Sequence, residues 1–146
     1  MVRASGTAIV ERRVSDVFAY LTDVTNQVAW RASELFVDPL TPPPLRVGSQ
    51  FLEVKQQLGR RFESVVEIVG YEPPVRFTCK AVNGPVPYEI DYRLSDAGPD
   101  RTRVDIVITG AAGEFFGVVG HVVQAATERE IATALGNVKD ILEDGK

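Results

Sequence analysis

The sequence holds a single cysteine, Cys79, and a single histidine, His121, among 146 residues. One cysteine excludes an intrachain disulfide and every multi-cysteine zinc or iron–sulfur pattern. One histidine excludes a poly-histidine metal site within one chain, so no metal is expected. The GxGxxG, GxxxxGK and HExxH motifs are missing, and no cofactor is expected. Positive charge is also short: 16 Lys and Arg stand against 20 Asp and Glu, a formal net charge of -4. The arginines are scattered (Arg12 and Arg13, Arg60 and Arg61, Arg101 and Arg103), so no nucleic-acid footprint is expected. No run approaches the roughly 18 uninterrupted apolar residues of a membrane span, so stable membrane insertion is not expected. The opening MVRASGTAIVERR lacks an apolar segment followed by a cleavage-like site, which makes cytoplasmic residence the default expectation.

What is present is 45% hydrophobic and 25% charged residues, a balance that opposes wholesale disorder. The length suits one domain over residues 1–146. A chain of this size buries roughly 68–70% of its extended surface and needs no disulfide to fold.

The apolar pattern divides the chain into elements. Thr7 to Val14 reads as a strand, and Ser15 as the N-cap of a short helix carrying Val17, Phe18, Leu21 and Val24 on one side. Thr25 is expected to cap a second helical turn through Trp30. Glu34–Asp38 is a short strand candidate, and Pro39 with Pro42, Pro43 and Pro44 forces an extended loop. Strands follow over Gln50–Leu58 and Arg60–Val69. In the second of these, Phe62, Ser64, Val66 and Ile68 share one face against Arg61, Glu63 and Glu67. Gly70 to Pro74 reads as a break. Val75–Val82, Val86–Leu94 and Thr102–Thr109 are further strands, separated by Asn83-Gly84-Pro85 and Ala97-Gly98-Pro99-Asp100. Six or seven antiparallel strands joined by tight turns make a meander. The tail then returns to helical spacing, secure from His121 to about Glu143. A helix over about 20 residues long spans about 30 Å and crosses a whole sheet face. An α+β fold, with a curved antiparallel sheet wrapped around the long helix, buries both apolar faces.

Several local sequences carry a resemblance. Ser15-Asp16-Val17-Phe18-Ala19-Tyr20-Leu21-Thr22-Asp23, Trp30, Val47-Gly48-Ser49 and the Tyr71-Glu72-Pro73-Pro74 turn before Val75-Arg76-Phe77 occur in a fixed order. In this the chain resembles the polyketide cyclase/dehydrase and lipid-transport superfamily, also called START-like, Bet v 1-like or SRPBCC proteins. The resemblance covers nearly the whole chain and implies the helix-grip fold. It also implies a cavity between sheet and long helix for a hydrophobic or amphipathic small molecule. It does not choose between binding, an enzyme such as a polyketide cyclase or dehydratase, and an interaction protein with a filled core.

Candidate ligand contacts follow from the inward faces. Phe62, Ser64, Cys79, Tyr88, Tyr92 and Ile106 are expected on the sheet side, Phe115, Val119, Val122 and Val123 on the helix side, and Trp30 near the mouth. Each has core packing as its alternative. Tyr88 and Tyr92 share a strand face with Cα atoms about 13 Å apart, so they reach opposite ends of a ligand rather than one atom of it. Cys79 reads as an inert core thiol unless it is reachable and its pKa lowered. His121 reads as a helix-start or solvent residue in preference to an acid–base catalyst, with Val122 the better core candidate. Glu63 and Glu67 oppose Phe62 and Val66, and Glu89 and Asp91 oppose the tyrosines, so these four face solvent. Glu34 shares parity with Phe36 and reads as a surface or rim residue. Turned inward, burial would raise its pKa and suit it to general acid or base work. Monomer and homodimer both remain open.

Overall fold

A computed structural model describes residues 2–110 and 115–144. Its elements run β1 (Val2–Val10), α1 (Val14–Thr22), a 3-10 turn (Val24–Asn26), α2 (Gln27–Trp30), β2 (Glu34–Pro39), β3 (Gln50–Gln57), β4 (Arg60–Glu72), β5 (Arg76–Asn83), β6 (Tyr88–Gly98), β7 (Arg101–Gly110) and α3 (Gly120–Glu143). The seven strands form one antiparallel sheet in the order β1-β7-β6-β5-β4-β3-β2. The first and second strands are therefore its two edges, and α1, the turn and α2 carry the chain from one to the other. The sheet curls around α3 in the helix-grip arrangement. Among the described residues no helix is long and apolar enough to cross a membrane.

Strand boundaries depart from expectation where side chains are small or polar. β1 begins at Val2, not Thr7, because it pairs with β7 from Val2↔Gly110 to Val10↔Thr102. Its inner positions Ala4, Gly6 and Ala8 are too small to mark a strand by hydropathy. Gly6 is needed there: a Cβ would lie 2.6 Å from Ile131 Cγ2, so its absence lets α3 approach the strand. β4 runs on through Gly70 by a register shift between Ile68 and Gly70, where a Cβ would meet Thr78 Oγ1 at 2.9 Å. β6 begins at Tyr88 rather than Val86, after a proline at 87 that has no N–H to give the ladder.

The caps differ too. α1 starts at Val14 with Arg13 as N-cap and no side-chain cap hydrogen bond, so Ser15 lies inside the helix. Asp16 in its first turn pairs with Arg12 at 3.3 Å and Arg13 at 3.6 Å. The second cap is Asp23, not Thr25: its carboxylate accepts from Thr25 N at 3.2 Å and Thr25 Oγ1 at 2.6 Å.

Two apolar clusters result. The larger joins α1, α2 and the C-terminal half of α3 to the sheet, around Phe18, Trp30, Phe77, Tyr92, Leu135 and Val138. The smaller gathers Val2, Phe62, Val86, Phe116 and Val123, with Phe115 half-buried against it.

Candidate functional site

Between the smaller cluster and α3 lies a cavity of about 520 Å³. One side of α3 supplies Val123, Ala126, Thr127, Glu130 and Thr133, the sheet supplies Lys55, Phe62, Tyr88 and Ile108, and the β5–β6 connection supplies Val86. The cavity exists because α3 carries small or polar groups there, whereas Ile131, Leu135, Val138 and Leu142 fill the other half of the sheet. Its volume is in the range of small-molecule sites.

The inner end of the cavity is charged. β3 turns Phe51, Glu53 and Lys55 to the inside, with Glu53 0% and Lys55 4% exposed. Register sets Glu34 beside Lys55, Lys55 beside Phe62, and Glu53 beside Ser64. Arg31, at the end of α2, is buried and binds Glu34 at 3.0 Å and Gln27 Oε1 at 3.3 Å. Its other terminal nitrogen lies 3.8 Å from Glu130 on α3. Glu130 accepts hydrogen bonds from Ser33 Oγ and Gln57 Nε2, both at 2.5 Å. The Tyr88 hydroxyl donates to Glu53 Oε1, and Lys55 Nζ sits 4.4 Å from the centre of the Tyr88 ring.

Protons are arranged to match. Burial pushes Glu34 up to about 8, against the pull of Arg31, and the hydrogen-bonded Glu53 carboxyl beside it adds to the rise. Burial opposes ionisation of Glu53 as well. There Lys55, the hydrogen bond from Glu34, Arg31 and Tyr88 together outweigh it and hold the carboxyl below its ordinary range. Glu34 and Glu53 each keep one carboxyl oxygen with no other partner, so one proton between them satisfies both. Glu130 is likewise held low, since Arg31, Lys55, Ser33 and Gln57 outweigh its burial. At neutral pH the belt thus contains two cations, two carboxylates and one neutral acid. That balance is the condition for keeping ions out of water.

The expected contacts divide. Phe62, Tyr88 and Val123 line the cavity. Phe115 packs edge-on against Phe62 and Phe116, with ring centres 5.1 and 5.3 Å away, and Phe116 is the one on the cavity wall. Ile106 is in the main core, and Ile108 on the same strand lines the cavity. Trp30 and Tyr92 meet edge-to-face at 6.0 Å, and Tyr92 stacks on Phe77 at 5.6 Å, all buried in the main core with Cys79. Burial raises the Cys79 thiol and the Tyr92 hydroxyl far above their ordinary ranges. Ser64 is buried without a partner for its hydroxyl, outside the cavity lining.

Three expectations need correction. Val119 and Val122 do not face inward: they are 58% and 37% exposed, because the helix begins at Gly120 in a phase that points Val123 to the sheet. Val122 is therefore no more a core residue than the exposed His121. Glu34 is not at the surface. A register shift between Glu34 and Phe36 breaks their shared parity, leaving Phe36 52% exposed and Glu34 buried.

Arg31, Glu53, Lys55 and Glu130 were not singled out from the pattern. The available signal was the parity of Glu53 and Lys55 with Phe51. Leu52 and Val54 compete for the inward face on the other parity, which masks it. Among the described residues no group of three or more His, Cys, Asp or Glu side chains is placed to hold a metal ion.

Comparison with known proteins agrees with this architecture. Residues 1–143 match the family model described as polyketide cyclase/dehydrase and lipid transport. A Thermus thermophilus protein of known structure is 14% identical, with a TM-score of 0.83 over 99% of both chains. A START superfamily protein from Mycobacterium smegmatis is 13% identical, also with a TM-score of 0.83 over 99% of both chains. The Zhui aromatase/cyclase from a Streptomyces species is 16% identical, with a TM-score of 0.79 over 97% of this chain and 93% of that one. At these identities the likeness is one of fold. No functionally curated protein matches the sequence.

Proposed function

The chain belongs to the polyketide cyclase/dehydrase and lipid transport family, and we propose that it binds a hydrophobic or amphipathic small molecule in the cavity between sheet and long helix. The observation that carries this reading is the cavity of about 520 Å³, apolar at Phe62, Val86, Ile108, Phe116 and Val123 and polar at Lys55, Tyr88 and Glu130. One apolar end with a few fixed polar groups suits a ligand with a greasy body and a polar head. A void of this size speaks against the filled-core reading.

The test is a titration with the neutral fluorophore N-phenylnaphthylamine, whose emission rises in an apolar site. Saturable enhancement is expected in the wild type. It should be lost in Thr127→Leu, which extends a branched side chain into the cavity. Unsaturable or unchanged emission in both would remove the binding reading.

An enzyme is the second reading, and one observation favours it. Tyr88 reaches the cavity wall and donates to Glu53, which shares a proton with Glu34, so a chain of exchangeable protons ends at the ligand. Dehydration or ring closure of a poly-β-ketone, slowed at least about tenfold by Tyr88→Phe, would support it. Binding without turnover would leave a carrier.

A further inference from the structure

We propose that the ligand is an amphipathic acid, and that the Lys55 ammonium receives its carboxylate at the inner end of the cavity. The inference rests on the binding reading and specifies its polar head.

Lys55 is the cation of the charged belt that lines the cavity; Arg31 Nη2 also lacks a hydrogen-bond partner, but Arg31 is not on the lining. Glu130 has both oxygens engaged by Ser33 and Gln57, and Glu53 accepts from Tyr88. Arg31 is fixed by Glu34 and Gln27. Lys55 lines the cavity at 4% exposure, yet among the described residues its Nζ has no hydrogen-bond acceptor and no carboxylate within ion-pairing distance. Its near contact is the face of the Tyr88 ring, which attracts the charge but accepts none of its three N–H groups in the ordinary sense. The Lys55 ammonium opens on the cavity, so a ligand head that displaces water from it must accept hydrogen bonds in the water's place.

The sign of the lining says more. The ionised side chains around the cavity are Lys55, Arg129 on the exposed rim, and Glu130. Within the lining the cations outnumber the carboxylate, although Glu53 behind it offsets part of the Lys55 charge. A carboxylate answers both the charge and the hydrogen bonds, whereas an alcohol answers only the hydrogen bonds. The body of the acid then lies against Phe62, Ile108, Phe116 and Val123, which ask for hydrocarbon.

Calorimetric titration of the full chain with dodecanoate and with dodecanol, at monomeric concentrations, tests this directly. The two share a chain and differ in the head. Wild-type protein should bind dodecanoate at least about tenfold more tightly, the scale of one hydrogen bond to a charged group. In Lys55→Met that preference should vanish, and in Lys55→Arg it should persist. Lys55→Met also strips a counter-charge from Glu53, so a variant-free readout accompanies it. In wild-type protein the Lys55 ammonium resonance should move with dodecanoate and not with dodecanol.

Equal affinity of the two heads in the wild type would overturn the proposal and leave the cavity reading intact. So would N-phenylnaphthylamine binding without dodecanoate binding, or a preference that survives Lys55→Met. Failure of all three probes to bind would overturn the cavity reading together with this one.

Discussion

The two halves of α3 rest on the same sheet and do opposite things with it. From Ile131 to Leu142 the helix presents Ile131, Leu135, Val138 and Leu142, all buried, and closes on β1 where Gly6 has no side chain. From Gly120 to Glu130 it presents Val123 with Ala126, Thr127 and Glu130, and the space they leave is the cavity. Arg31, Glu34, Glu53, Lys55 and Glu130 stand at the boundary. A helix-grip protein is thus made hollow by side-chain volume along one helix, without any change in topology. The charged belt is what permits a hydrophilic end to the hollow half so close to a dry core.

The comparison is broken most severely at the boundary. Glu53→Gln leaves buried Lys55 and Arg31 without the carboxylate that compensates them, and is expected to cost about 3–5 kcal/mol in urea denaturation at pH 7. An unchanged midpoint would mean that the belt contributes no balance of charge.

Within the solid half, Leu135→Ala should cost about 2–5 kcal/mol, because the surrounding core cannot collapse onto the lost volume. Val123→Ala, beside an existing void, should cost less than half as much. Equal losses would contradict the division into solid and hollow. The tight contact at β1 gives a third test. Gly6→Ala places a methyl 2.6 Å from Ile131 Cγ2 and should cost about 1–3 kcal/mol. Ile131→Val in the same chain should recover part of that loss, a coupling that a double-mutant cycle measures.

The smallest change at neutral pH is expected from Glu34→Gln, which mimics the protonated acid and should not lower stability. Its signature is in the pH profile. Glu34 titrates near 8 in the folded state against an ordinary value of 4.5, so between those values the folded chain holds a proton the unfolded chain lacks. Its contribution therefore declines as pH rises from about 4.5 to about 8, and then levels off. Glu53 and Glu130 act in the opposite sense: both are held low, and their contributions are lost as pH falls through their folded values. Denaturation across pH should show the upper decline in wild-type protein and not in Glu34→Gln. A profile identical in both would remove the proton-sharing pair.

Legibility from the pattern varied with local chemistry. β6 was plain, since Tyr88, Ile90, Tyr92 and Leu94 alternate with charged partners. The first half of β1 was not, because Ala4 and Gly6 bury little area and leave no hydropathic trace. Phe62, Tyr88 and Val123 could be placed near a cavity by parity and helical phase, yet the same logic placed Trp30, Cys79 and Tyr92 beside it, and they lie in the main core. Parity identifies a face. It does not say which stretch of that face the helix covers.

By itself the sequence determined the order of strands and helices and the meander, because periodicity and residue type are local properties. Only the tertiary structure decided that Glu34 is buried, that Glu53 and Lys55 face inward, and that half of α3 leaves a void. A bulge reverses parity, competing apolar residues mask a charged face, and an empty volume belongs to no single residue. Each depends on distant parts of the chain meeting at a common surface.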